Sequence, residues 1–141
     1  MFNHILAPVD LAHVDRLGRA LEVAADLARH YGVDVTYVAV TSPQPGEVAH
    51  NPEEYEKKLK AFADEQSKAH GQTAHARLMV SHDPAVDLDT KLTAALEEIG
   101  ADLVVMATHI PGLVDYIWPS HGGKFASHTD ASVMLVRPHE Q

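Results

Sequence analysis

The feature that most constrains this chain is a set of five short apolar runs separated by stretches of helical period. The runs fall at residues 5–9, 35–40, 74–80, 103–107 and 133–136. All but the third are nearly continuous in apolar residues. A strand with one face in water alternates apolar and polar side chains, whereas a strand covered on both faces has no need to. Continuous runs of this length therefore predict a parallel sheet covered by helices. The third run, AHARLMV, is more mixed, which places it nearer a sheet edge.

The intervening segments supply the cover. Val14, Leu17, Leu21, Ala24, Ala25 and Ala28 share one stripe of a helix of about four to five turns, with Gly32 as its stop. Asn51-Pro52-Glu53-Glu54 reads as an N-cap, a proline in the first helical position and an acidic first turn. Tyr55, Leu59, Phe62 and Ala63 give the buried face of that second helix, and Gly71 ends it. Asp83-Pro84 repeats the cap and proline, with Leu88, Leu92, Ala95, Leu96 and Ile99 behind it and Gly100 as the stop. A last short helix is expected from about Ser120 or His121 to His128. Strict β-α alternation implies right-handed crossovers and one doubly wound sheet in a single domain, 1–141. The main irregular loop is TSPQPGEVAH, residues 41–50.

Composition narrows the function classes. Hydrophobic residues make up 45% of the chain, which fits a globular domain rather than a disordered one. There are no cysteines, so disulfides, thiolate metal sites and thiol catalysis are excluded. The net charge is −9 and the bases are scattered, with Lys57, Lys58 and Lys60 as the one cluster. A nucleic-acid binder needs a concentrated positive surface to displace counterions, so that class is disfavoured. The start, MFNHILAPVD, is too short in apolar residues for a signal segment. No stretch approaches the roughly 18 apolar residues of a membrane span. A cytoplasmic location is expected.

In open parallel sheets ligands bind beyond the carboxyl ends of the strands, where the strand order reverses. Three loops leave that edge: one after Pro8-Val9-Asp10, one after Val40, and one that begins Ala107-Thr108-His109-Ile110-Pro111-Gly112. The third leads to Pro119-Ser120-His121-Gly122-Gly123. A hydroxyl and two glycines at a helix start leave backbone N–H groups free to hold an anion. Ser120 is a phosphate donor on that reading, and a simple N-cap on the plainer one. Asp10 has two compatible roles, holding a ribose hydroxyl or metal-bound phosphate and capping the first helix. No P-loop and no GxGxxG motif is present. His109 and His121 flank the expected phosphate site, with His13 close by, and serve as cationic phosphate partners or as solvated loop residues. They do not form an HxxxH pair, and convergence of three or four metal ligands is not expected. Ser120 beside His121 does not make a catalytic triad, because adjacent residues rarely bring hydroxyl and imidazole into line. Tyr116 and Trp118 read as packing or interface residues.

At these residues the chain resembles the universal stress protein family over nearly its whole length. ILAPVD resembles that family's first strand and acidic turn, GADLVVMATH its fourth strand, and SHTDASVMLVRP its closing helix end and last strand. The T-H-x-P loop is similar to a short-loop branch of the family in which S-H-x-P precedes Y-L-L-G-S; here 116–120 read Y-I-W-P-S. The family's glycine-rich phosphate loop is altered at Ala107, Ile110, Pro111 and Pro119. Proline donates no N–H and fixes φ, so phosphate contacts at Pro111 and Pro119 are lost or reshaped.

The resemblance implies a five-stranded sheet in the order 3-2-1-4-5 with helices on both faces. It also implies an adenine nucleotide, ATP or AMP with or without Mg²⁺, and no efficient catalysis. The implied contacts are Pro8, Val9, Asp10 and Val40 at the adenine and ribose. Met106, Thr108 and His109 follow at the ribose and phosphates, with Pro111, Ser120, His121 and Gly122 at the phosphate end. A homodimer through the last strand, near Val133 to Val136, is implied as well, since an apolar edge strand invites pairing. The competing reading is a dimeric interaction module that does not bind nucleotide.

Overall fold

The structure is a computed structural model that describes residues 1–107 and 129–137. Its elements in chain order are β1 (His4–Pro8), a 3₁₀ turn (Leu11–Arg16), α1 (Gly18–Tyr31), β2 (Asp34–Thr41), α2 (Pro52–His70), β3 (Ala74–Val80), α3 (Pro84–Ile99), β4 (Leu103–Ala107) and β5 (Ser132–Val136). The strands form one sheet in the order β3-β2-β1-β4-β5, and every pair is parallel. The expected order holds. The mixed third run is an edge strand, and so is β5.

Burial explains the continuous apolar runs. In β4 every residue from Leu103 to Ala107 is buried. Helices lie on both sides of the sheet. Tyr37 of β2 meets Phe62 of α2 edge-to-face at 5.2 Å. Arg77 of β3 is in register with Val38, one residue on, and so faces the other way. There it makes a two-pronged ion pair with Glu98 of α3. The core joins Ile5, Leu6, Val35, Val38 and Val104 of the sheet to Ala24, Leu59 and Leu92 of the helices.

Asn51 caps α2 as its sequence predicts: its side-chain oxygen accepts the Glu54 N–H at 2.8 Å. Gly32, Gly71 and Gly100 each follow a helix with φ between 66° and 75°, the left-handed conformation that a side chain disfavours. Two expectations change. The first helix is broken: α1 begins at Gly18, and Val14 lies in the separate 3₁₀ turn. Asp10 imposes the break, because its carboxylate accepts the Ala12 N–H and its carbonyl accepts the His13 N–H, a three-residue span. His13 itself has non-helical angles, φ −133° and ψ 31°. Asp83 also makes no side-chain cap. Ser81 instead holds the turn that leads into the helix, accepting the Asp83 N–H at 3.0 Å and donating to the Asp87 carboxylate at 2.6 Å. The expected helix from Ser120 or His121 to His128 lies outside the described residues.

Candidate functional site

The carboxyl edge of the sheet carries a cavity of about 650 Å³. That lies within the range of roughly 300–1,000 Å³ that holds small organic ligands. Its floor is the end of β1 and β2. The Val9 N–H donates to the Val38 carbonyl at 2.8 Å, so the chain stays on the sheet for one residue beyond β1 before turning at Asp10. Val9 and Val40 give that floor an apolar surface, and Pro45, Val48, Ala49, Pro84 and Leu88 extend it up the walls.

The loop after β2 forms the outer wall. Two prolines, Pro43 and Pro45, limit its backbone freedom, and local hydrogen bonds hold it. The Gln44 N–H donates to Ser42 Oγ at 3.1 Å, and the Gly46 N–H donates to the Ala49 carbonyl at 2.9 Å. The Ser81 N–H donates to the Thr41 carbonyl at 2.9 Å, which ties this loop to the one after β3. Lys58 of α2 reaches the Val48 carbonyl with its ammonium group.

Polar groups converge on one wall. Asp10 Oδ1 accepts the Ala12 N–H at 3.0 Å, and Asp10 Oδ2 lies 2.9 Å from His13 Nδ1. Both side chains keep 24% of their surface exposed, so both are open to a ligand. The Tyr55 hydroxyl accepts the Leu11 N–H at 3.2 Å. Burial is the main cause that pushes the Tyr55 phenol up to about 12. It therefore stays protonated at neutral pH and keeps its own O–H to donate. Among the described lining residues the charged or chargeable groups are Asp10, Glu47, Asp83 and His13, with no lysine or arginine.

Of the residues expected at the site, Val9, Asp10 and Val40 come together on the cavity, and His13 joins them. Pro8 and Met106 are buried within β1 and β4 and do not line it. Each lies one position or more short of the carboxyl edge. Thr108, His109, Pro111, Ser120, His121 and Gly122 lie outside the described residues, as does most of the segment that supplies the expected phosphate end. The cavity also has residues that sequence reasoning did not assign to it: Thr41, Ser42, Asn51, Tyr55 and Asp83. The length of the loop after β2 was the available signal, because long loops at a ligand edge are disproportionately functional. Among the described residues no group of three or more His, Asp or Glu side chains is placed to hold a metal ion. No described helix is long and apolar enough to cross a membrane.

Comparison with known proteins agrees with this architecture. A universal stress protein from Archaeoglobus fulgidus is 22% identical, with 96% of this chain and 98% of that one aligned at a TM-score of 0.67. A universal stress protein in complex with cAMP is 19% identical, covers 98% and 99% of the two chains and gives 0.71. The Archaeoglobus fulgidus universal stress protein in complex with dAMP is 23% identical, covers 94% and 96% and gives 0.64. These likenesses establish the shared fold. No curated protein sequence gives a significant match. The model of the Universal stress protein family matches residues 1–137, nearly the full length, and the chain belongs to that family.

Proposed function

We propose that the cavity binds an adenine nucleotide, ATP or AMP, and that the protein acts as a regulatory binder rather than as an efficient enzyme. The observation that carries this reading is the convergence of an apolar floor, Val9 and Val40, with the partly exposed Asp10 carboxylate. A flat base needs the first and ribose hydroxyls need an acceptor such as the second. The described wall has no lysine or arginine, so the nucleoside end belongs here. The phosphates, with any Mg²⁺, belong toward the segment containing Thr108, His109, Pro111, Ser120, His121 and Gly122. Family relatives in complex with cAMP and dAMP support the ligand class. The reading includes a cytoplasmic stress-response role and a homodimer paired along β5, whose Met134 and Leu135 are exposed at the sheet edge.

Denaturing the purified protein and analysing the supernatant by mass spectrometry tests for co-purified ATP or AMP. Calorimetry with millimolar ATP and Mg²⁺ tests the apo protein. Failure of both overturns the reading. A second reading, a dimeric interaction module without nucleotide, is favoured by the carboxylates of Asp10, Glu47 and Asp83 on one cavity and by Ala107, Ile110, Pro111 and Pro119 in place of the family's pattern. It predicts no ATP-dependent rise in melting temperature for wild type or for Ser120→Ala.

A further inference from the structure

Tyr55 lines the cavity with a hydrogen-bond donor that the protein leaves unspent. The residue is packed in the core and only 7% exposed, so its hydroxyl is held in one place. A backbone N–H can only donate, so in the 3.2 Å contact with Leu11 the phenol oxygen is the acceptor. The phenol's own hydrogen then points elsewhere, and no acceptor for it is present among the described residues. Burial keeps that hydrogen on the oxygen at neutral pH, and the Asp10 charge acts in the same direction. A buried hydroxyl with an unmet donor costs free energy, so a partner entering the cavity is favoured.

Asp10 supplies the complement. Leu11, whose N–H is held by Tyr55, directly follows Asp10, so the phenol and the carboxylate line one cavity and are joined through a single peptide link. A carboxylate has about four acceptor sites, and here the Ala12 N–H and His13 take two of them. The wall thus offers an acceptor beside a donor. A ring nitrogen or a carbonyl would use the donor alone, and an amino group the acceptor alone. A hydroxyl uses both, because it donates and accepts through one oxygen.

We propose that Tyr55 and Asp10 form a hydroxyl-reading pair: a ligand hydroxyl donates to the Asp10 carboxylate and accepts from the Tyr55 O–H, which makes Tyr55 a specificity-determining residue for ribonucleotides over deoxynucleotides. The pair rests on the adenine-nucleotide reading of the cavity, on which the hydroxyl belongs to the ribose. A ligand that lacks it leaves both protein groups unpaired, and a site built to bond a hydroxyl rejects such an analogue more strongly than an apolar pocket rejects a missing methylene.

The probes are AMP and its 2′-deoxy and 3′-deoxy forms, with the three corresponding triphosphates run in parallel. Within each series the phosphates are constant and one oxygen differs. Calorimetry at neutral pH on wild type and on Tyr55→Phe forms a cycle. Any general weakening by the variant, such as a shift of the turn when the Leu11 contact is lost, cancels in it. Wild type is expected to bind one of the deoxy ligands about tenfold or more weakly than its parent, because a hydrogen bond to a charged acceptor goes with the oxygen. Tyr55→Phe is expected to shrink that discrimination by about three- to tenfold, the contribution of a neutral hydrogen bond. Discrimination unchanged in Tyr55→Phe overturns the role of Tyr55, and equal binding of parent and deoxy ligands by wild type overturns the pair. Both results leave the adenine site intact. Absence of binding by both series overturns the adenine-nucleotide reading and the pair with it. If Tyr55→Phe does not fold, as judged by its circular dichroism, wild type labelled with ¹³C at tyrosine Cζ decides. The assigned Tyr55 resonance should move with the parent nucleotide and not with the discriminated deoxy form, and equal movement with both overturns the pair.

Discussion

Asp10 is asked to do two jobs, and one pair of variants separates them. As a cap, its Oδ1 accepts the Ala12 N–H at 3.0 Å, and loss of such a cap costs about 0.5–2 kcal/mol. Its second contact, to His13 at 2.9 Å, is a partly exposed pair across a single turn and contributes at most about 1 kcal/mol after screening. Asp10→Ala removes both, so the expected loss is about 1–2 kcal/mol, or about 3–6 °C in melting temperature for a domain of this size. Asp10→Asn keeps the cap, because asparagine is as good an acceptor there. Its amide nitrogen then donates to His13 Nδ1, and the neutral imidazole takes the other tautomer. The variant should melt within about 1 °C of wild type, since the retained cap is the larger contribution. Ligand binding responds differently. A hydrogen bond to a charged acceptor contributes about 1.5–3 kcal/mol, so Asp10→Asn should weaken adenosine or cAMP by about 10- to 150-fold. Differential scanning fluorimetry and calorimetry on the same preparations give both numbers. Wild-type ligand affinity in both variants would refute the binding role and leave Asp10 as a cap alone.

Three further outcomes follow from the rest of the molecule. His4 lies 2.6 Å from Thr36 Oγ1, and its pKa is lowered chiefly by burial. The unfolded chain therefore binds this proton first as pH falls below about 6.5, and the stability His4 provides at neutral pH is lost from there toward its lower folded value. Urea midpoints at pH 7.5 and 5.5 should show a smaller acid-side loss for His4→Gln; an equal or larger loss contradicts the assignment. Leu92 is fully buried between α3 and the sheet, so Leu92→Ala should cost about 2–5 kcal/mol in urea titration, and a cost below about 1 kcal/mol would mean that this part of the core is misassigned. Leu135 is 39% exposed on the edge strand β5, and the β5-paired dimer proposed above predicts a dimer for wild type and a monomer for Leu135→Glu in analytical ultracentrifugation. An unchanged sedimentation coefficient would remove β5 from the interface.

Much of the fold was legible because its signals are local or nearly so. Residues 103–107 are apolar throughout since both faces of β4 are covered, and the positions of Gly32, Gly71 and Gly100 mark helix ends by conformation alone. The break before Gly18 was not legible, because Val14 fits the same apolar stripe whether or not the helix is continuous. The deciding contacts are hydrogen bonds from Asp10, and periodicity does not report them. Asp83 looked like a cap for the same reason: its side chain accepts no helix N–H while the Ser81 hydroxyl holds the Asp83 N–H, and spacing reports neither fact. At the site, Val9, Asp10 and Val40 were predictable from strand topology. Tyr55 was not, since in sequence it is simply one position of a helix's buried face, and its contact with Leu11 spans 44 positions.

The three left-handed glycines also have a consequence for how this scaffold can be changed. Each closes a helix before a short return to the next strand, at the edge of the sheet opposite the cavity. The returns use the same backbone device, so that edge works as a standard set of joints. The loop of residues 41–50 at the other edge has no glycine of positive φ; bonds within it, together with ties from Lys58 and Ser81, hold it. An engineer who exchanges residues 42–50 for another loop of similar span leaves every joint untouched. The limit of such an exchange is set by Asp10 and Ala49, which line the cavity while one caps a turn and the other packs in the core.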